Sequence, residues 1–216
     1  MKKIPILMDV DTGIDDAIAL MFAMQSDKLD IKGITAVAGN QVIEKTLRNT
    51  LDVVEFAGRS DIPIAKGAAS PLVRKLEIAG DTHGESGLGS AKLPLAEKQP
   101  EDIDAVGLMR KVLEESDEKV ILVPTGPLTN IALLLLAYPH VKEKIEKIVL
   151  MGGGAFEGNA TPTAEFNIWV DPEAASVVFN SGLPVVLVGL DVTMKAYVTL
   201  EDINAMKATG TRAGEF

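Results

Sequence analysis

The sequence predicts an α/β fold, an open and mostly parallel sheet flanked by helices. Three observations carry this expectation. Short β-branched apolar runs alternate with helical patterns in repeated β-α-β order. The runs are apolar on both faces, as strands between two helix layers must be. Almost every run is followed by polar or glycine-rich residues, and in such sheets ligands collect at the carboxyl ends of the strands. Of the 216 residues 47% are hydrophobic, enough apolar material for one domain with a substantial core.

Along the chain, residues 4–8 read as a buried first strand. Gly13 reads as a turn residue suited to positive φ, and residues 14–24 as a helix carrying Ile18, Leu20, Met21 and Phe22. Residues 31–37 form a second strand, followed by Gly39-Asn40 and a long helix over 41–57. A short third run at 62–64 precedes a helix at 103–113, a strand at 120–123 and a helix at 128–137. Tyr138-Pro139 stops that helix, because the proline ring clashes with the preceding turn. Residues 148–151 and 185–188 are further strands, with a helix over 172–179 between them and a last helix near 199–207.

Four carboxylates crowd into the eight residues Asp9-Val10-Asp11-Thr12-Gly13-Ile14-Asp15-Asp16 at the end of the first strand. Asp9 and Asp11 share one face of an extended chain, while Asp15 and Asp16 fall in a first helical turn, where the helix dipole favours negative charge. Converging carboxylates repel one another unless protons or a cation intervene, so a hard divalent ion, calcium or magnesium, is expected. One of these acids as a helix cap would be routine, but four exceed that need. The other strand ends add Gly39-Asn40, Pro124-Thr125-Gly126-Pro127-Leu128-Thr129-Asn130, Met151-Gly152-Gly153-Gly154 and Gly189-Leu190-Asp191-Val192-Thr193. A further loop at 81–89 contains His83. Glu165-Phe166-Asn167, with Asn159 upstream, reads as a polar loop of ligand groups, and Asp171 before Pro172 as a helix cap.

The net charge of −10 argues against a nucleic-acid backbone or an anionic membrane as partner. With no cysteine, disulfides, thiolate metal sites and a cysteine nucleophile are excluded. Lys2 and Lys3 precede an apolar run that Asp9 interrupts, too short for a signal-peptide core, so a cytoplasmic location is expected. Neither a Walker loop nor a complete dinucleotide fingerprint is present.

In combination and in this order, the Asp9–Asp16 motif, Gly39-Asn40, the Pro124–Asn130 motif, Met151-Gly152-Gly153-Gly154 and Glu165-Phe166-Asn167 resemble the inosine-uridine-preferring nucleoside hydrolases. The resemblance covers nearly the whole chain; Thr12 stands where the family often has proline. It implies a nucleoside hydrolase-like fold, hydrolysis of the N-glycosidic bond of ribonucleosides in nucleoside salvage, a bound calcium ion, and a homodimer or homotetramer. Carried over by residue, Asp11 and Asp16 would bind calcium through carboxylates and Thr125 through its carbonyl. Asp15 would be the general base on a calcium-bound water, with Asp9 behind the ligands. Asn40, Asn159, Glu165 and Asn167 would hold the ribose hydroxyls, with Met151 packing nearby.

Family members usually continue further and supply a later aspartate and histidine, so relative to them this chain is expected to be C-terminally incomplete, with an apolar patch left uncovered. Of the two histidines, His83 lies in a loop resembling the family's lid and could approach the leaving base, although a solvated loop histidine is the commoner reading of such a residue, and His140 reads as a surface residue. Two rival readings accompany this one. Asp9-Val10-Asp11-Thr12 also suits a haloacid-dehalogenase-type phosphohydrolase with Asp9 as nucleophile and magnesium, although that leaves Asp15-Asp16 and the later motifs unused. The other is an inactive remnant that binds nucleoside or calcium without turnover.

Overall fold

The computed structural model describes residues 2–215; Phe216 lies outside them. The first half runs β1 (Ile4–Val10), α1 (Ile14–Gln25), β2 (Leu29–Ala36), α2 (Ile43–Phe56), β3 (Ile64–Lys66), a single-turn α3 (Gly80–His83) and α4 (Ala105–Glu115). The second runs β4 (Val120–Pro124), α5 (Thr129–Ala137), a 3-10 segment (Pro139–Lys144), β5 (Ile145–Met151), α6 (Phe166–Val170), α7 (Pro172–Phe179), β6 (Val185–Val188), α8 (Leu190–Thr193), α9 (Leu200–Ala208) and α10 (Arg212–Glu215). The described strands form one sheet in the order β3-β2-β1-β4-β5-β6, every neighbouring pair parallel. The expected open parallel sheet is therefore present.

Two apolar layers hold it. On one side Ala17, Leu20 and Met24 of α1 and Leu47, Leu51 and Val54 of α2 pack with Ile6, Met8, Ile34 and Ile64. On the other, Met109 and Leu113 of α4, Ile131 and Leu135 of α5 and Ala174 and Val178 of α7 pack with Leu7, Leu122 and Ile148. Adjacent β1 residues serve opposite layers, as the period-two alternation of a strand requires. The chain leaves β1 toward β2 and later returns to its other side as β4, so the direction of strand order reverses between β1 and β4. A crevice opens at the carboxyl ends of two strands where their connections diverge.

Three local expectations need correction. β1 runs two residues beyond the expected end, because Asp9 pairs opposite Thr35 of β2 and Pro124 of β4, which puts that acid inside the sheet. Gly13 has φ −103°, not a positive value; its lack of a side chain serves space instead, since a Cβ there would lie 2.5 Å from His83 Nδ1 and 2.8 Å from Asn40 Nδ2. Residues 165–167 are not loop: Glu165 caps α6, accepting from the Ile168 amide, and Asn167 lies on that helix.

β6 is an edge strand with Val186 and Leu187 both exposed, although a strand covered on two faces would bury them. Beyond it Val192, Met194, Tyr197, Val198 and Leu200 are exposed too, and no residue of α9 is buried. Exposed apolar side chains are therefore gathered at this edge. No helix of the described residues is long and apolar enough to cross a membrane.

Candidate active site

The carboxyl ends of β1 and β4 bring the acidic motif together with the Thr125 loop. Asp9 is fully buried: its Oδ1 accepts from Thr35 Oγ1 at 2.6 Å and Asn130 Nδ2 at 2.8 Å, while Oδ2 is buried without a hydrogen-bond partner. A carboxylate so enclosed cannot attack a phosphate ester, which removes the structural basis for the phosphohydrolase reading. Asn130 also donates to the Ala36 carbonyl and accepts from the Ala68 amide, joining β1, β2 and the chain after β3.

Asp11 is 1% exposed and lies in a slot between two glycines. A Cβ at Gly39 would sit 2.3 Å from its Oδ2, and one at Gly126 would sit 2.6 Å from its Oδ1. Oδ2 accepts from the Asn40 amide at 2.8 Å, but Oδ1 is buried and unpartnered. Asp16 caps α1 by accepting from the Gly13 amide at 3.0 Å, and its other oxygen accepts from Thr125 Oγ1 at 2.5 Å. The Asn40 side chain donates to the Asp11 carbonyl at 3.3 Å and Asp16 Oδ2 at 3.4 Å, linking the two acids. Asp15, by contrast, is at the rim with a side chain 78% exposed.

The electrostatics match this crowding. Burial pushes the Asp9 carboxyl up to about 7, against hydrogen bonds from Asn130 and Thr35 that favour the anion. Burial, then the charge of Asp15, raises Asp16 to about 6. Burial and the charge of Asp16 hold Asp11 well above the usual carboxylate range. Raised folded-state values mean that the metal-free fold binds more protons than the unfolded chain between the ordinary aspartate range and neutrality. Stability is then highest below that window and falls as pH rises through it. In chelator, Tm is expected to fall between about pH 5 and 7.5, and calcium should restore it at the upper end. A chelated protein whose Tm rises steadily over that interval would contradict this assignment.

The donors present fit a hard cation, because Asp11 presents a buried oxygen with no partner beside the carboxylate of Asp16, and both are hard oxygen donors. Among the described residues no group of three or more acidic, histidine or cysteine side chains is arranged to hold a metal, so Asp11 and Asp16 are a partial donor set. Thr125 donates its hydroxyl to Asp16, and its carbonyl accepts from Asn167 Nδ2 at 2.8 Å, which leaves that oxygen a second lone pair.

His83 is brought to the same place. Its Nδ1 accepts from the Ile14 amide at 3.3 Å and stands 3.9 Å from Asp15 Oδ1. A neutral ring accepting at Nδ1 carries its proton on Nε2 and is therefore a donor there. His140 is remote, paired with Glu114 at 2.9 Å on the surface. Asn167 reaches the Met151 carbonyl at 3.2 Å and its sulfur at 3.4 Å, so Met151, Asn167 and Thr125 form one wall. Glu165 is buried and spends Oε2 on the Gly153 and Ile168 amides. Asn159 is exposed, its side-chain oxygen clasping the Phe166 amide at the start of α6.

Asp171 is the cap expected for α7, and it also accepts from Thr129 Oγ1 at 2.7 Å and the Leu72 amide. Residues whose contribution the sequence reading missed are Thr35, Asn49 and Asn130. Asn49 lies on the inward face of α2 between Leu47 and Leu51, and an amide in that setting is the signal that could have drawn attention to it.

A profile of the inosine-uridine preferring nucleoside hydrolases matches residues 6–216. The chain belongs to that family. Among family members, the pyrimidine-specific ribonucleoside hydrolase RihA of Escherichia coli O1:K1 is 54% identical over 207 residues, which are 96% of this chain and 67% of that protein. The purine-preferring ribonucleoside hydrolase from Gardnerella vaginalis is 34% identical with a TM-score of 0.93, covering 98% of this chain and 68% of that one. A plant nucleoside hydrolase, also 34% identical, has a TM-score of 0.94 over 99% of this chain and 68% of its own. Nucleoside hydrolase chemistry is thus the family's, and the site at the β1–β4 crevice is the place to look for it.

Proposed function

We propose that this chain hydrolyses the N-glycosidic bond of ribonucleosides to free base and ribose, with pyrimidine ribonucleosides as preferred substrates. The observation that carries this reading is the convergence of Asp11, Asp15, Asp16, Asn40, His83, Thr125 and Asn167 at one crevice. The pyrimidine preference rests on the 54% identity to the pyrimidine-specific relative.

Calcium is the proposed ion, held by the Asp11 and Asp16 carboxylates with the Thr125 carbonyl, and when bound it would fix the ribose hydroxyls and make a coordinated water more acidic. Asp15, open to the crevice rim, takes the proton of the attacking water as a C1′–O bond forms. The C1′–N bond breaks through an oxocarbenium-like transition state, and the departing base takes a proton from His83 Nε2. Asn40, Asn159, Glu165 and Asn167, with Met151 beside them, are proposed to surround the ribose. Polar groups on the sugar hydroxyls both orient C1′ and favour the positively charged transition state.

The test is release of base and ribose from uridine, cytidine, inosine and adenosine, with calcium and with chelator. Chelator-sensitive release of uracil and cytosine, faster than that of hypoxanthine and adenine, is the expected result. No release from folded, calcium-loaded protein would reject the hydrolase reading for this chain.

A further inference from the structure

Residues 80–89 bring His83 to the site, and the segment that follows this histidine is gripped from one direction. Lys45 and Asn49 are four apart on α2 and so share a face of it, and Gln41 lies just ahead of the helix N-cap Val42. Gln41 Nε2 donates to the Gly84 carbonyl at 2.9 Å, Lys45 Nζ donates to the Glu85 carbonyl, and Asn49 Nδ2 donates to the Ser86 carbonyl at 2.9 Å. Three successive carbonyls are thus taken by one side chain just before α2 and two on it. Asn49 Nδ2 also donates to the Thr12 carbonyl at 3.1 Å, so one amide joins this segment to the turn between Asp11 and Asp15. Gly87 packs directly on it, where a Cβ would lie 2.8 Å from Asn49 Nδ2. Gln41 and Asn49 are 2% and 7% exposed, so water competes poorly for these bonds.

We propose that Gln41, Lys45 and Asn49 are positioning residues: a latch that holds residues 84–86 against α2 and thereby keeps His83 seated on Gly13 and Ile14. The idea rests on the hydrolase reading only for what His83 does once held. A loop released from the latch keeps its anchor at Leu88, which is buried in the core, but loses the contacts that fix the residues next to His83. None of the three side chains bonds Asp11, Asp15 or Asp16. Their removal therefore leaves intact the hydrogen bonds that the Asp11 and Asp16 carboxylates accept, which come from Gly13, Asn40 and Thr125.

The experiment compares the full chain with the double variant Gln41→Met/Asn49→Leu and with His83→Ala, by hydrogen exchange of the 80–89 amides. Each hydrogen bond removed should raise loop opening about fivefold, so the double variant should exchange there about 25 times faster while β1 and β4 amides keep their protection. Unchanged exchange at 80–89, or loss of protection throughout the sheet, overturns the latch. A second readout uses uridine beside 4-nitrophenyl β-D-ribofuranoside, whose leaving group departs without a proton. The double variant should copy His83→Ala, losing turnover of uridine far more than of the nitrophenyl riboside. Equal losses on both substrates overturn the positioning role. A wild-type chain that releases no base rejects the hydrolase reading alone, because exchange still decides the latch.

Discussion

Replacing Asp15 with asparagine is expected to lower kcat for uridine by about 10²–10⁴-fold, the usual contribution of a positioned general base, while leaving calcium affinity within about twofold. The side chain is 78% exposed at the start of α1, so an isosteric amide there removes a base without burying an unpaired group. It also leaves untouched the hydrogen bonds that orient Asp16, which come from Gly13, Asn40 and Thr125. Steady-state kinetics together with calorimetric titration of calcium separate the two effects. Full turnover in this variant would remove Asp15 from the mechanism.

Asp11→Asn should give the opposite profile. Calcium affinity is expected to drop by more than about 100-fold, because loss of a direct carboxylate ligand exceeds the effect of losing an outer partner. The rise in Tm on adding calcium should disappear with it, since a ligand stabilises only in proportion to its binding. In chelator at neutral pH the variant should be at least as stable as the parent. The charge removed is one that burial and Asp16 both disfavour, and the Asn40 amide still finds an oxygen to bond. Differential scanning calorimetry with and without calcium reads both expectations. A calcium-dependent Tm shift that survives in this variant would mean that the ion binds elsewhere.

Much of this architecture is legible in the sequence, for identifiable reasons. Strands covered on both faces leave apolar runs, so β1, β4 and the second half of β5 stand out, while β6 keeps such a run although Val186 and Leu187 are exposed. The acid motif is legible because four carboxylates in eight residues have few explanations, and Asp171-Pro172 because cap and proline act locally. What escaped depends on tertiary contacts. Asp9 looks like a member of the acidic cluster, and only pairing with Thr35 and Pro124 turns it into a strut within the sheet. α6 is five residues long, too short for periodicity to register, and it follows a stretch rich in threonine and proline that reads as loop. Asn49 and Asn130 are ordinary helix residues until the chains they join are folded beside them.

The slot that holds Asp11 has a consequence for mutational tolerance. Its walls are absences: the missing side chains of Gly39 and Gly126 provide the volume its two oxygens occupy. Every amino acid other than glycine carries a Cβ, so any replacement at either position competes with the acid for the same space. In a deep mutational scan these two silent, chemically inert residues should therefore score like Asp11 itself. The information specifying one charged group is written at three places in the chain, two of which carry no functional group at all.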